Sequence, residues 1–122
     1  MKAFLLLAHG SRRAQSNEEV QKLADCFGIQ NQDEFPIVMA GFMELAEPTI
    51  SMIVDDAISA GAKHLVILPY FLAAGTHVVD DIPSLVKDSL ANYPDITFEI
   101  LPHIGGAKSM VNLILSVTTE QD

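Results

Sequence analysis

Four residues that can bind metal ions or exchange protons each come after a short apolar run of the sequence. They are His9, Glu44, His77 and His103. Imidazole and carboxylate groups bind divalent cations, and imidazole takes up or releases a proton near neutral pH. If the apolar runs are parallel β-strands, the loops beyond their carboxyl ends carry the ligand site. The sequence therefore predicts that these four side chains gather at one edge of a sheet.

The apolar runs alternate with segments of helical periodicity, and this alternation predicts the fold. The runs cover residues 3–8, 37–42, 65–68 and 97–101. Strands and helices in this order, joined by short connections, specify a parallel sheet with right-handed crossovers. We predict an α/β fold of three layers, with helices on both faces of a four-stranded parallel sheet. His64 begins the third run, so we expect it at the opposite end of the sheet.

Local signals predict where the helices begin and end. Ser16 and Glu19 have the spacing of a capping box, and Gly28 is a plausible end for that first helix. Glu47-Pro48 is expected to open the second helix, because proline is tolerated in a first turn. Asp80-Asp81 should lie at the positive amino end of the third helix. A fourth helix is predicted near the end of the chain.

Composition excludes several classes of function. The net charge of −9 argues against nucleic-acid binding, which depends on neutralising phosphates with lysine and arginine. The apolar runs are far shorter than the roughly 20 residues needed to span a bilayer, so no membrane partner is expected. Arg12 and Arg13, in the segment that follows the first strand, form a local positive spot in this acidic chain. Such a spot can select an anionic ligand.

The lone cysteine, Cys26, indicates a reducing compartment. A single cysteine excludes an internal disulfide, and we interpret the protein as cytoplasmic. Cys26 falls on a predicted amphipathic helix, where we interpret it as a packing residue.

The segment His9-Gly10-Ser11 follows the first strand as phosphate-binding loops do, but it has too few glycines for a nucleotide motif. A phosphoryl-transfer function is therefore disfavoured. Three roles for His9 remain open from the residues alone: a metal ligand, a general base and a purely structural residue.

Three segments together resemble a known family. They are residues 7–12, 42–48 and 69–83, and the last of them is the most specific because it combines Gly75, His77, Asp81, Ile82 and Pro83. This set is similar to the small sirohydrochlorin chelatases of the CbiX and SirB type. The resemblance extends from the first strand through Pro102-His103.

The resemblance implies one chelatase-like domain over residues 1–122, with the class II chelatase fold. Such enzymes insert a divalent metal into the tetrapyrrole sirohydrochlorin. By resemblance, His9 and His77 correspond to the metal-binding histidines and Glu44 to the acidic residue of the site. Co²⁺ or Fe²⁺ is the expected metal substrate, and Ni²⁺ is less favoured because a histidine-rich insertion is missing from the sequence.

Other residues receive supporting roles on the same basis. Glu44 is the first candidate to accept pyrrole protons, and His103 is the second. Arg12 and Arg13 are expected to pair with substrate carboxylates. Tyr70 and the loop that contains Gly75 are expected to supply a surface for the macrocycle. Larger relatives contain two such domains, so we expect a homodimer with a shared cleft.

Two questions stay open from the sequence. A noncatalytic carrier of tetrapyrrole or metal would keep the same motifs without turnover. The sequence also leaves open which metal is physiological, and therefore whether the product belongs to cobalamin or to sirohaem synthesis.

Overall fold

The computed structural model of the chain describes residues 1–75 and 80–120. Its strands are β1 (Lys2–Ala8), β2 (Ile37–Phe42), β3 (His64–Pro69) and β4 (Thr97–Ile100). Its helices are α1 (Ala14–Gln30), α2 (Ile50–Ser59), α3 (Ile82–Ser89), α4 (Met110–Val117) and a short 3₁₀ segment (Ile104–Gly106). Each predicted strand and helix is therefore present.

The strands form one parallel sheet in the order β2-β1-β3-β4. β1 is a central strand, with Ala8 opposite Phe42 of β2 and Leu7 opposite Pro69 of β3. This register brings the carboxyl ends of the first three strands to the same level, as the predicted site requires. The α/β fold with a four-stranded parallel sheet is confirmed.

Helices cover both faces of the sheet because the side chains of β1 alternate between two buried surfaces. One face carries Leu5 and Leu7 and packs with α2 and α3. The other face carries Phe4 and Leu6 and packs with α1, where the ring centroids of Phe4 and Phe27 lie 4.3 Å apart. The predicted three layers follow from this division.

The predicted limits of α1 were wrong. The helix begins at Ala14 with Arg13 at the N-cap, so Ser16 and Glu19 lie inside it and form no capping box. Gly28 also lies inside the helix, which continues to Gln30. A Cβ at Gly28 would approach Cβ of Val38 to 3.2 Å. This glycine therefore allows close packing of α1 on β2 and does not end the helix.

The predicted start of α2 was also early. The helix begins at Ile50, and the hydroxyl of Thr49 caps it by accepting a hydrogen bond from the Met52 amide at 3.2 Å. Pro48 precedes the helix, and its carbonyl accepts a hydrogen bond from the Phe42 amide at 2.9 Å. Glu47-Pro48 thus belongs to the loop that returns to β2. Asp81 does lie at the N-cap of α3, as expected.

The interpretation of Cys26 as a packing residue was wrong, because its side chain is exposed. α1 buries only a narrow stripe that centres on Ala24, and Val20 and Phe27 pack partly against the sheet beside it. Cys26 lies on the solvent side of that stripe.

α4 differs from the other helices in that none of its eight described residues is buried. It follows the 3₁₀ segment and borders an apolar cavity of about 390 Å³. Leu23 of α1, Leu68 of β3 and Tyr70 also line that cavity.

Within the described residues, no helix is long and apolar enough to cross a membrane.

The packing of α2 on the sheet provides a first prediction. Ile53 is 2% exposed and lies in the larger core, so Ile53→Ala should lower the free energy of unfolding by about 3 kcal/mol. Ile29 is 71% exposed, and Ile29→Ala should change that free energy by less than about 0.5 kcal/mol. Urea unfolding followed by circular dichroism measures both. Equal effects of the two substitutions would contradict the assigned core.

Candidate active site

The structure brings His9 and Glu44 together at the carboxyl edge of the sheet. His9 follows β1 and Glu44 follows β2, and Nε2 of the imidazole lies 2.9 Å from Oε1 of the carboxylate. The two side chains are 45% and 59% exposed. An ion pair with this much exposure contributes about 0–1 kcal/mol to stability, because water screens it. The pair is therefore available for chemistry at little cost to the fold.

Both nitrogens of the His9 ring face acceptor oxygens. Nδ1 lies 3.1 Å from the carbonyl oxygen of Gly10, and Nε2 faces the Glu44 carboxylate. The tautomer of the ring decides which nitrogen donates a hydrogen bond. A metal ion bound at Nε2 would lie beside the Glu44 carboxylate.

Asn17 of α1 fixes the loop that carries His9. Its side-chain oxygen accepts a hydrogen bond from the Ser11 amide at 3.0 Å, and its side-chain nitrogen donates to the Ser11 carbonyl at 2.8 Å. The Ser11 hydroxyl in turn accepts a hydrogen bond from the Arg13 amide at 3.0 Å. Asn17 was not predicted from the sequence. The one signal in the sequence was the presence of an amide side chain in the first turn of the helix that follows the His9 loop.

A cavity of about 290 Å³ opens beside the His9–Glu44 pair. Its lining includes Met43 and three residues of the α3 region, Asp81, Ser84 and Leu85. From the sequence, Asp81 was expected at a helix start and was part of the 69–83 segment, but it was given no role in the site. Its presence in this cavity adds a second carboxylate near His9.

The other predicted metal ligand, His77, lies outside the described residues. Within residues 1–75 and 80–120, no group of three or more histidine, cysteine, aspartate or glutamate side chains is arranged to hold a metal ion. The described part of the site thus consists of one histidine and one carboxylate in contact, with Asp81 lining the same cavity.

The remaining predicted site residues lie around this edge but outside the cavity lining. His103 is half-buried directly before the 3₁₀ segment, and its ring packs over Gly106. Tyr70 is partly exposed and lines the apolar cavity beside α4. Gly75 is exposed, and no atom of the described residues lies within 4 Å of a Cβ built there. Their binding roles stay predictions.

Arg12 and Arg13 are both exposed in the loop after His9. Arg13 lines a shallow polar groove with residues of the first turns of α1, including Lys22. Their predicted pairing with substrate carboxylates also stays a prediction.

His64 lies at the opposite end of the sheet, as expected. Its Nδ1 is 2.7 Å from the Thr97 hydroxyl, and its Nε2 is 3.5 Å from Oε1 of Glu99. This second histidine–glutamate pair is remote from the cavity, so it provides an internal control for the first.

Comparison with known proteins assigns the chain and its fold to a family. The CbiX family model matches residues 3–121. The chain belongs to the CbiX family. It is 45% identical over 86 residues to a sirohydrochlorin cobaltochelatase of Methanocaldococcus jannaschii, a match that covers 70% of this chain and 59% of the relative. It is 34% identical over 118 residues to the chloroplastic sirohydrochlorin ferrochelatase of Arabidopsis thaliana, covering 97% of this chain and 50% of the relative.

Solved structures of the family share the fold. A putative cobalamin biosynthesis CbiX protein from Marinobacter aquaeolei superimposes with a TM-score of 0.81 at 31% identity, covering 98% of this chain and 96% of that one. The sirohydrochlorin chelatase SirB from Bacillus subtilis in complex with cobalt has a TM-score of 0.79 at 26% identity, covering 98% of this chain and 50% of that one. This CbiX-family chain therefore spans between half and three fifths of the two named sequence relatives and half of the SirB chain.

The two hydrogen bonds by which Asn17 braces the His9 loop provide a second prediction. Asn17→Ala removes two hydrogen bonds from the His9 loop and should lower the free energy of unfolding by about 1–2 kcal/mol. Gln21 lies one turn further along α1 and makes a single long bond of 3.4 Å to the Ala40 carbonyl. Gln21→Ala should cost less than about 0.5 kcal/mol. Urea unfolding measures both losses in the free energy of unfolding. If Gln21→Ala loses as much as Asn17→Ala or more, Asn17 does not hold the His9 loop in place.

Proposed function

We propose that this chain is a sirohydrochlorin chelatase that inserts Co²⁺ or Fe²⁺ into the tetrapyrrole, as one chelatase-like domain over residues 1–122. The observation that carries the proposal is the 2.9 Å contact between His9 and Glu44 at the carboxyl edge of the sheet. A family match over residues 3–121 and relatives named for both metals support it.

The chemistry of the pair suits metal delivery. Imidazole and carboxylate bind first-row divalent ions, and a site with few protein ligands leaves positions open for incoming pyrrole nitrogens. His9 and His77 are proposed to bind the metal substrate, with Glu44 beside His9. A closed cage of four protein ligands would hold the metal, whereas an incomplete and exposed set can release it to the macrocycle.

Metal insertion also requires acceptors for the two pyrrole protons that the metal replaces. Glu44 is the first acceptor, because it lies against the imidazole that binds the metal. His103 is the second acceptor predicted from the sequence. Asp81 lines the same cavity as Glu44 and is a further candidate for the second proton.

The substrate is a polycarboxylate, and a chain with a net charge of −9 repels it over most of its surface. Arg12 and Arg13, exposed beside His9, offer guanidinium groups for bidentate pairing with carboxylates. Tyr70 and the loop with Gly75 are proposed to contact the apolar parts of the macrocycle.

We also propose that the active species is a homodimer with a shared cleft. The cavity beside His9, about 290 Å³, lies at the low end of the roughly 300–1,000 Å³ of small-molecule pockets, so a tetrapyrrole needs further walls. α4 offers an unburied apolar surface near that edge, and residues 109–119 contain no charge. In an acidic chain, two copies can approach through this stretch without repulsion between carboxylates.

A noncatalytic carrier of metal or tetrapyrrole is the alternative, and turnover separates it from an enzyme. A carrier forms at most one equivalent of product for each protein. The cytoplasmic location predicted from the lone cysteine also stays a prediction.

The catalytic proposal makes a third prediction. Under anaerobic conditions, the wild-type chain should metallate excess sirohydrochlorin with Co²⁺ or Fe²⁺ over many turnovers. His9→Ala, Glu44→Ala and His77→Ala should each lower kcat/KM by about 100-fold or more, because ligand or proton transfer is lost. His64→Ala removes the histidine of the remote pair and should leave kcat/KM within about twofold of wild type.

The absorption spectrum of the tetrapyrrole measures these rates. If the wild-type rate equals the rate in buffer while the protein still binds the tetrapyrrole stoichiometrically, the enzyme proposal is wrong and the carrier proposal takes its place. If His64→Ala lowers kcat/KM as much as His9→Ala does, the assignment of the active site to the His9–Glu44 pair is wrong.

The dimer proposal makes a fourth prediction. Ile114 of α4 is 61% exposed in the single chain, so Ile114→Glu should place a buried charge in the interface and shift the protein to a monomer. Ile29 is similarly exposed on α1, and Ile29→Glu should leave the dimer intact. Sedimentation velocity measures the mass. A wild-type monomer, or equal dissociation by both substitutions, would contradict the assignment of α4.

A further inference from the structure

The backbones of the β1 and β2 loops remain paired beyond the ends of the strands. The Met43 amide donates a hydrogen bond to the Ala8 carbonyl at 2.9 Å, and the Glu44 amide donates to the His9 carbonyl at 3.0 Å. The backbone of Glu44 is therefore held directly by the residue whose side chain it faces.

Gly10 lies at the closest approach of these two loops. Its φ angle is +99°, in the region where side chains are disfavoured. A Cβ built on Gly10 would overlap the carbonyl oxygen of Glu44 and lie 3.3 Å from Cβ of Phe42. Backbone conformation and close packing thus each exclude a side chain at this position.

Leu45 constrains Glu44 from the other side. It is the residue after Glu44, and it adopts a left-handed φ of 67° although it is not glycine. A non-glycine residue holds this conformation only when its surroundings impose it. The Glu44 backbone is therefore fixed between the contact at Gly10 and the turn at Leu45.

We propose that Gly10, together with the left-handed turn at Leu45, is a positioning element for the reaction. The missing side chain of Gly10 sets how closely the Glu44 backbone approaches His9, and so sets the separation of the imidazole and the carboxylate. Gly10→Ala keeps the side chains of His9 and Glu44 but forces the Glu44 carbonyl, and the carboxylate with it, away from His9. The inference deepens the proposed function and rests on it.

Gly61 offers a matched control. Its φ angle is +109°, so an alanine there suffers comparable backbone strain. The nearest described atom to a Cβ at Gly61 is Met1 Sδ at 3.7 Å, an ordinary contact. Gly61 precedes β3, at the opposite end of the sheet from His9. Both alanine variants strain the backbone at a positive φ, but only Gly10→Ala also displaces Glu44. Comparing the two variants therefore separates these effects.

The test measures Co²⁺ affinity by calorimetry, the visible absorption of bound cobalt, and the melting temperature. Gly61→Ala should lower the melting temperature while the Co²⁺ Kd stays within about twofold of wild type. Gly10→Ala should raise the Co²⁺ Kd by about tenfold or more and change the cobalt spectrum at saturation, as loss of ligand positioning does. Wild-type affinity and spectrum in folded Gly10→Ala would overturn the inference alone. A wild-type chain that binds no Co²⁺ would overturn the proposed function as well.

A double variant tests whether Gly10 acts through Glu44. In the Glu44→Ala background there is no carboxylate to position, so Gly10→Ala should change the Co²⁺ Kd by no more than about twofold. A further tenfold loss in that background would overturn the inference.

If Gly10→Ala does not fold, Leu45→Gly tests the positioning element from its other side. Glycine there releases the Glu44 backbone without introducing a clash, so the Co²⁺ Kd should rise about fivefold or more at a similar melting temperature. An unchanged Kd would overturn the inference.

Discussion

The parallel pairing of β1 with both of its neighbours is the constraint on which the rest of the structure depends. β1 is buried on both faces, and its register sets Ala8 opposite Phe42 and Leu7 opposite Pro69. The ladder continues past the strands, where the Tyr70 amide donates to the Leu7 carbonyl at 2.7 Å. Because side chains alternate along a strand, a shift of one residue would exchange the two cores. The core therefore fixes which residue of each strand is the last before its loop.

That constraint explains how a weak surface interaction can have a defined geometry. The His9–Glu44 contact is too exposed to hold two loops in place by its own energy. The buried strands and the loop hydrogen bonds fix the loops instead, and Asn17 adds a brace from α1. The imidazole and carboxylate are therefore free to exchange a proton or bind a cation without cost to the fold. The proposed release of metal to the macrocycle would benefit from this separation of positioning and binding.

The sequence predicted the features that depend on hydrophobic periodicity and failed where tertiary contacts compete with local signals. The strands, and the positions of His9 and Glu44 just after two of them, were predictable, because buried parallel strands are continuous apolar runs. Ser16 and Gly28 were misinterpreted because cap and stop signals are local, whereas α1 packs closely on Val38 and starts beside the Ser11 turn. Asn17 and Asp81 were not predicted as parts of the site, because their contacts join loops and helices that only the folded chain brings together.

Within the part of the chain that the structure describes, α4 is the α-helix that contributes no buried residue to either core. α1, α2 and α3 have buried residues and pack against the two faces of the sheet, whereas α4 has no buried residue and borders the apolar cavity on the α1 side of the sheet. A helix that is apolar on most of its surface is stable only when another surface covers it. A second copy would meet an uncharged stretch here, while carboxylates elsewhere in this acidic chain oppose association. The position of this surface near Tyr70 and the carboxyl edge would let association also enlarge the cavity, so that assembly and substrate binding depend on one another.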